Sequence, residues 1–243
     1  MSKNSSGGTM EFVRTIIYAV LIAMVARTVA FEPFSIPTGS MKPTLLVGDY
    51  LFVKKWTYGY SRHAFPWSQP PFEGRLLSQP VERGDVVVFK VPEDDGTFGD
   101  DYIKRFVGLP GDTIEVKGGI LHINGEPVKR ERIEDWYDEQ TGKLLTQYIE
   151  TLPNGVQHRI AEVSDDENND NYGPFVVPAG HYFGMGDNRD NSSDSRYFGA
   201  IPEENVVGRA SFIFYSTACN CSLIKLWESI PHTRLDRIAT GIH

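Results

Sequence analysis

Ser40 lies in IPTGSMKPT (residues 36–44), between a glycine and a methionine. A serine so placed either shapes a turn or attacks a carbonyl. An attacking serine needs a base for its proton. The chain has six histidines (His63, His122, His158, His181, His232 and His243), and none stands in a motif that points to Ser40. Both G-x-S-x-G and H-E-x-x-H are absent. A lysine is the alternative base. Free lysine has a pKa of about 10.4, so neutrality at pH 7 needs a shift of about 3 units, roughly 4 to 5 kcal/mol, which burial can supply. In DYIKRFVG (101–108), strand alternation sets Tyr102, Lys104 and Phe106 on one face and Ile103, Arg105 and Val107 on the other. Lys104 is then either enclosed between aromatics or a surface lysine snorkelling over them. A third cluster, GMGDNRDNSSDSRYFG (184–199), is dense in Asp, Asn, Arg and Ser. It forms either an exposed polar turn or a buried network in which Asp and Arg pair and hydroxyls orient a neighbouring amine.

The elements that must carry these residues read as strands. Segments 49–56, 85–91, 101–108 and 205–215 are β-branched or aromatic runs, and no long stretch after Glu32 has a helical period. Gly118-Gly119 and Asn124-Gly125 permit positive φ, which predicts a three-stranded meander over 113–130. Residues 64–80, rich in Pro and Gly, read as a surface loop, and 118 to about 174 as a hairpin-rich insertion in a β core.

The 243 residues are 40% hydrophobic and 23% charged, enough for one large domain with an insertion. A net charge of -8 argues against a nucleic-acid partner, which needs clustered Lys and Arg. Acidic residues concentrate in 93–101 and 164–171, expected to be solvated loops. From Asp166 the second lacks the sixth-position glycine and twelfth-position glutamate of a calcium loop, so no metal is expected. A bridge between Cys219 and Cys221 would be strained, and no disulfide framework is expected.

An uncharged run, 15–26, lies between Arg14 and Arg27. Three readings compete: a soluble helix that must hide two arginines, a cleavable signal, and an anchor over 10–31. Such an anchor gives about 33 Å of helix against about 30 Å of hydrocarbon. Lys3 and Arg14 against Arg27 give a slight positive-inside bias.

Taken in order, EPFSIPTGSMKPTLLVGDYLFVKKWTYG, RGDVVVFKVPEDDGTFGDDYIKRFVGLPGD and GMGDNRDNSSDSRYFG, after an N-terminal apolar segment, resemble type I bacterial signal peptidases (leader peptidases). The match covers most of 32–117 and 176–215. It implies a membrane-bound serine endopeptidase that removes signal peptides from exported preproteins at A-x-A sites without a cofactor. Ser40 is then the nucleophile and Lys104 the general base. The Thr38 hydroxyl and the Ser40 amide form the oxyanion hole, with Thr38 standing where the family has serine. Ser192 orients the lysine, and Asp194 and Arg196 support it. The shallow pockets for positions -1 and -3 are lined by Phe34, Ile36, Met41, Leu45, Val88, Tyr102 and Ile103. The resemblance further implies a mainly β fold: a short cytoplasmic tail (1–9), a transmembrane signal anchor (10–31), and a coiled antiparallel catalytic domain (32–117 and 176–243) on the periplasmic side of the inner membrane. A hairpin subdomain (118–175) is inserted, without the disulfide that some relatives carry there. Partners would be signal peptides, membrane lipid and the export machinery. Two rivals fit less well. A self-cleaving Ser/Lys regulator would have a DNA-binding domain in place of the apolar segment, and an idle peptide-binding β module would not need Ser40 and Lys104.

Overall fold

The computed structural model describes residues 6–65, 74–92, 99–167, 169–219 and 229–243, with the side chains of the first helix described over 10–21. Helix α1 (Ser6–Val29) leads into β1 (Phe31–Ser35) and β2 (Asp49–Lys54). The ribbon β3 (Tyr60–Ser61) and β4 (Arg75–Leu76) follows, then β5 (Val86–Lys90) and β6 (Asp101–Gly108). The hairpin-rich region comprises β7 (Thr113–Lys117), β8 (Ile120–Ile123), β9 (Glu126–Pro127), β10 (Lys129–Arg132), β11 (Trp136–Asp138), β12 (Lys143–Thr151), β13 (Gln157–Glu162) and β14 (Tyr172–Val176). The chain returns through β15 (His181–Met185), the one-turn helix α2 (Ser195–Phe198), β16 (Ile201–Pro202) and β17 (Val206–Ser216).

The main sheet has seven strands in the order β1-β2-β17-β5-β6-β15-β16, with every pairing antiparallel. All four runs read from the sequence as strands lie in it. Strand β2 alternates as expected, with Leu51 and Val53 inward and Tyr50 and Phe52 half-buried. The central strand β5 is covered on both faces: Val86 and Val88 join one core cluster, Val87 and Phe89 another. Each such side chain contributes about 1.5 to 3 kcal/mol by leaving water, which fixes the rows on which the site stands.

The predicted meander is present as β7, β8 and β9, paired further to β14. Its turns have positive φ at Gly118, Gly119, Asn124 and Gly125. Lys129 then leaves for a second sheet, in which β10, β11 and β13 pair with β12. In the acidic segment 164–171, Asp165, Asp166 and Glu167 are exposed as expected, whereas Asp170 is buried and its carboxylate accepts the Glu167 amide at 2.6 Å. Residues 66–73 of the expected loop and 93–98 of the other acidic segment lie outside the described residues.

Two expectations need correction. Cys219 is disulfide-bonded, although a strained bridge argued against it; the chain's other cysteine, Cys221, lies outside the described residues. Helix α1 occupies the segment expected to span a membrane, but it ends at Val29, and Phe31 opens β1. Among the described residues, no helix is long and apolar enough to cross a membrane. The described side chains of α1 include the charged Glu11 and Arg14.

Candidate active site

The turn after β1 carries Ser40 and strand β6 carries Lys104, and the two meet: Lys104 Nζ donates to Ser40 Oγ at 2.8 Å. A second hydrogen bond, to the Ile103 carbonyl at 3.0 Å, fixes the ammonium from behind. Lys104 is 3% exposed and Ser40 8%. The lysine nitrogen lies 5.3 Å from the Tyr102 ring centre, so one of the two aromatics that alternation sets on its face stands over it. Burial lowers the Lys104 pKa to about 8, with the Asp194 and Asp187 carboxylates opposing the shift and Arg196 adding to it. Across pH 8 to 10.5 the unfolded chain therefore binds more protons here than the folded one, and this group's contribution to stability rises with pH through that window.

The polar cluster is a buried network around this pair. Asp194 caps α2 and accepts the Arg196 amide at 3.1 Å, Arg196 Nε at 3.0 Å, Arg196 Nη2 at 2.9 Å and the Gly186 amide at 2.9 Å. Burial alone would raise the Asp194 pKa, but the Arg196 charge overcomes it and holds the carboxyl below the ordinary range. Ser192 is buried, but the Lys104 ammonium is bonded to Ser40 and Ile103, and Ser192 Oγ has no hydrogen-bond partner among the described residues. Gly186 permits this packing. A Cβ there would lie 2.2 Å from Ser192 Oγ and 2.5 Å from the Ser40 carbonyl oxygen. Asn188 clamps the nucleophile turn from the same side, its amide donating to Ser40 O at 3.1 Å and its Nδ2 to Gly39 O at 2.9 Å.

Several supporting residues were not anticipated. Arg105, on the face opposite Lys104, is fully buried and donates from Nε and Nη2 to Asp187 at 2.9 and 2.8 Å. Thr44 Oγ1 donates to the same carboxylate at 2.6 Å, which ties the nucleophile turn to the polar cluster. Arg189 makes a bidentate pair with Glu150 of β12, at 2.9 and 2.6 Å, and His158 Nε2 lies 3.3 Å from Glu150. Lys42 reaches Asp138 of β11 at 2.7 and 2.8 Å, and both residues are buried. Such pairs are costly to break singly, because the survivor is a buried unpaired charge. The one sequence signal for them was an arginine in a strand of otherwise core-forming residues, which demands a carboxylate partner.

Beside Ser40 opens a cleft of about 590 Å³ lined by Phe34, Ile36, Thr38, Val88, Tyr102 and Ile103 among others. Five of the seven residues expected to line the substrate pockets are thus on its wall. Met41 and Leu45 are not; both are 0% exposed in the core cluster with Ile36 and Val88. Thr38 is exposed on the cleft, and the Ser40 amide makes no hydrogen bond among the described residues. Both are thus free to face an oxygen developing charge. No histidine hydrogen-bonds to Ser40 among the described residues, and none of their His, Cys, Asp and Glu side chains gather in a group of three that could hold a metal.

A hydroxyl bonded to a buried lysine of lowered pKa, at the edge of an apolar cleft with unused donors, is an arrangement chemically suited to acyl transfer. The family model described as signal peptidase, peptidase S26, matches residues 9–215. A signal peptidase I of Rickettsia typhi (strain ATCC VR-144 / Wilmington) is 39% identical over 93% of this chain and 91% of its own length. That of Rickettsia canadensis (strain McKiel) is 37% identical over 99% and 96%. A crystal structure of a signal peptidase I from Enterococcus faecalis V583 aligns with 28% identity over 54% of this chain and 97% of that one, at a TM-score of 0.33. The chain belongs to the signal peptidase family, peptidase S26, and is a serine endopeptidase of the signal-peptide-processing class.

Proposed function

We propose that this peptidase is membrane-anchored and cleaves exported preproteins after A-x-A type sites, with Ser40 as nucleophile and Lys104 as general base. The observation that carries this reading is the 2.8 Å contact of Lys104 Nζ with Ser40 Oγ at the cleft. Neutral Lys104 takes the Ser40 proton as Oγ bonds to the scissile carbonyl carbon, and the carbonyl oxygen becomes an oxyanion held by the Ser40 amide and the Thr38 hydroxyl. One such donor is worth about 3 to 4 kcal/mol in comparable sites. Collapse breaks the C–N bond, and the lysine proton passes to the leaving amine. Water then attacks the ester, Lys104 accepts its proton, and return of that proton to Oγ releases the signal peptide. Asp194, held by Arg196, supplies the fixed charge that keeps the lysine from losing its proton too readily. Ser192 is assigned to orient the lysine during the cycle.

Specificity follows from the walls. Ile36 and Ile103 leave room for alanine, glycine or serine at positions -1 and -3, and Met41 and Leu45 back this wall from the core. A methylene of mismatch is worth about 1 to 3 kcal/mol, and an oversized residue also displaces the carbonyl from its donors. The double variant Ile36→Ala, Ile103→Ala should therefore accept larger residues at both positions, with less effect on A-x-A substrates. A folded, active double variant that cleaves only the original sites would show that these isoleucines are not the sieve.

The anchor rests on α1, whose described apolar side chains from Met10 to Leu21 are exposed on all sides, and on Phe31 and Trp56, exposed and 4.7 Å apart at its end. Such a helix needs lipid or a protein to cover it. The full-length chain should stay with membranes through an alkaline carbonate wash, its N-terminal residues attached. Recovery of a chain beginning at Phe31 would identify a cleaved signal instead. A catalytic domain on the periplasmic side, with lipid and the export machinery as neighbours, is part of this proposal; it is supported by the family membership and the slight positive-inside bias of the N-terminal segment.

A further inference from the structure

Resting on that reading, we infer that a second cavity, which meets the apolar cleft at Gly39 and Asn191 beside Ser40, receives the first residues after the scissile bond and favours an acidic side chain there. The cavity has a volume of about 270 Å³ and shares two lining residues, Gly39 and Asn191, with the cleft. A chain whose acyl side fills the apolar cleft continues beyond Ser40, and the common rim of Gly39 and Asn191 gives it a way into this cavity. Asn191 is held there by donating to Asn188 Oδ1 at 3.2 Å, and Asn188 is bonded to the nucleophile turn itself.

The charges in this cavity decide what it takes. Asp138 is spent: Lys42 occupies both its oxygens, and the Gln140 amide and Thr141 hydroxyl complete its shell. Lys42 and Asp138 cancel. Lys143 remains, an exposed ammonium with no ion pair or hydrogen bond among the described residues, together with the unbonded side-chain amide of Gln140. A cation and a neutral donor on one wall, with the one carboxylate already neutralised, favour an aspartate or glutamate over a lysine. Because β11, β12 and their connection supply this wall, the hairpin region contributes directly to substrate choice.

The test uses full-length enzyme and preprotein peptides that share one A-x-A acyl half and carry aspartate or lysine at the first two positions after the bond. The unmodified chain should cleave the aspartate peptides about three- to tenfold faster in kcat/KM at low salt, and Lys143→Glu should reverse that order. Screening should shrink both preferences as the Debye length falls from about 30 Å at 0.01 M salt to about 3 Å at 1 M. The same order in both enzymes, or a change in Lys143→Glu confined to selectivity at -1 and -3, would overturn the assignment. Failure of the unmodified chain to cleave any preprotein peptide would instead sink the underlying reading, and this inference with it.

Discussion

Lys104→Arg is expected to abolish preprotein cleavage as completely as Lys104→Ala, a loss of about 10²- to 10⁴-fold, the usual contribution of general-base catalysis. Arginine keeps a positive charge and can hydrogen-bond, but with a pKa above about 12 it cannot take the Ser40 proton. A purely electrostatic role for Lys104 predicts the opposite, substantial activity in the arginine variant. Steady-state kcat/KM on an A-x-A peptide, with circular dichroism to establish folding, separates the two.

Gly186→Ala should lower kcat/KM about 100-fold through displacement of reacting groups by about 1 Å, and lower stability by about 1 to 3 kcal/mol through overpacking. The added methyl would stand 2.5 Å from the backbone oxygen of Ser40, so the nucleophile turn itself must move. Gly184→Ala provides the comparison. Its Cβ would approach Ile201 Cδ1 at 3.0 Å and Lys104 Cβ at 3.1 Å, and the nearest of these is a side-chain end that can yield by a few tenths of an ångström. The order of damage should be Gly186 over Gly184 in both activity and melting temperature. Equal or reversed effects would mean that the contact of Gly186 with the nucleophile turn does not position Ser40.

How much of this was legible in the sequence depends on the range of the forces involved. Strand alternation is local, so β2, β5, β6 and β17 and the turns at Gly118-Gly119 and Asn124-Gly125 could be read directly. The apolar face of Lys104 was also local. Its meeting with Ser40, 64 residues away in the chain, was not, and rested on likeness to a family. Long-range pairing was hidden altogether. Arg105 is neutralised by Asp187, 82 residues distant, and Lys42 by Asp138, 96 residues distant, and no local pattern announces either. Met41 and Leu45 illustrate the converse limit. Both flank the nucleophile in sequence, yet the turn points them into the core rather than along the cleft wall.

The central claim is that Ser40 is activated by a neutral Lys104, and the pH dependence of kcat/KM on an A-x-A preprotein peptide tests it most directly. Since the competent form is the unprotonated amine, kcat/KM should rise about tenfold per pH unit in the acid range, bend near the Lys104 pKa of about 8 and level off above it. Replacing any histidine should leave the midpoint in place. A rising limb centred near 6.5 that disappears with one histidine would identify an imidazole base and contradict the lysine mechanism.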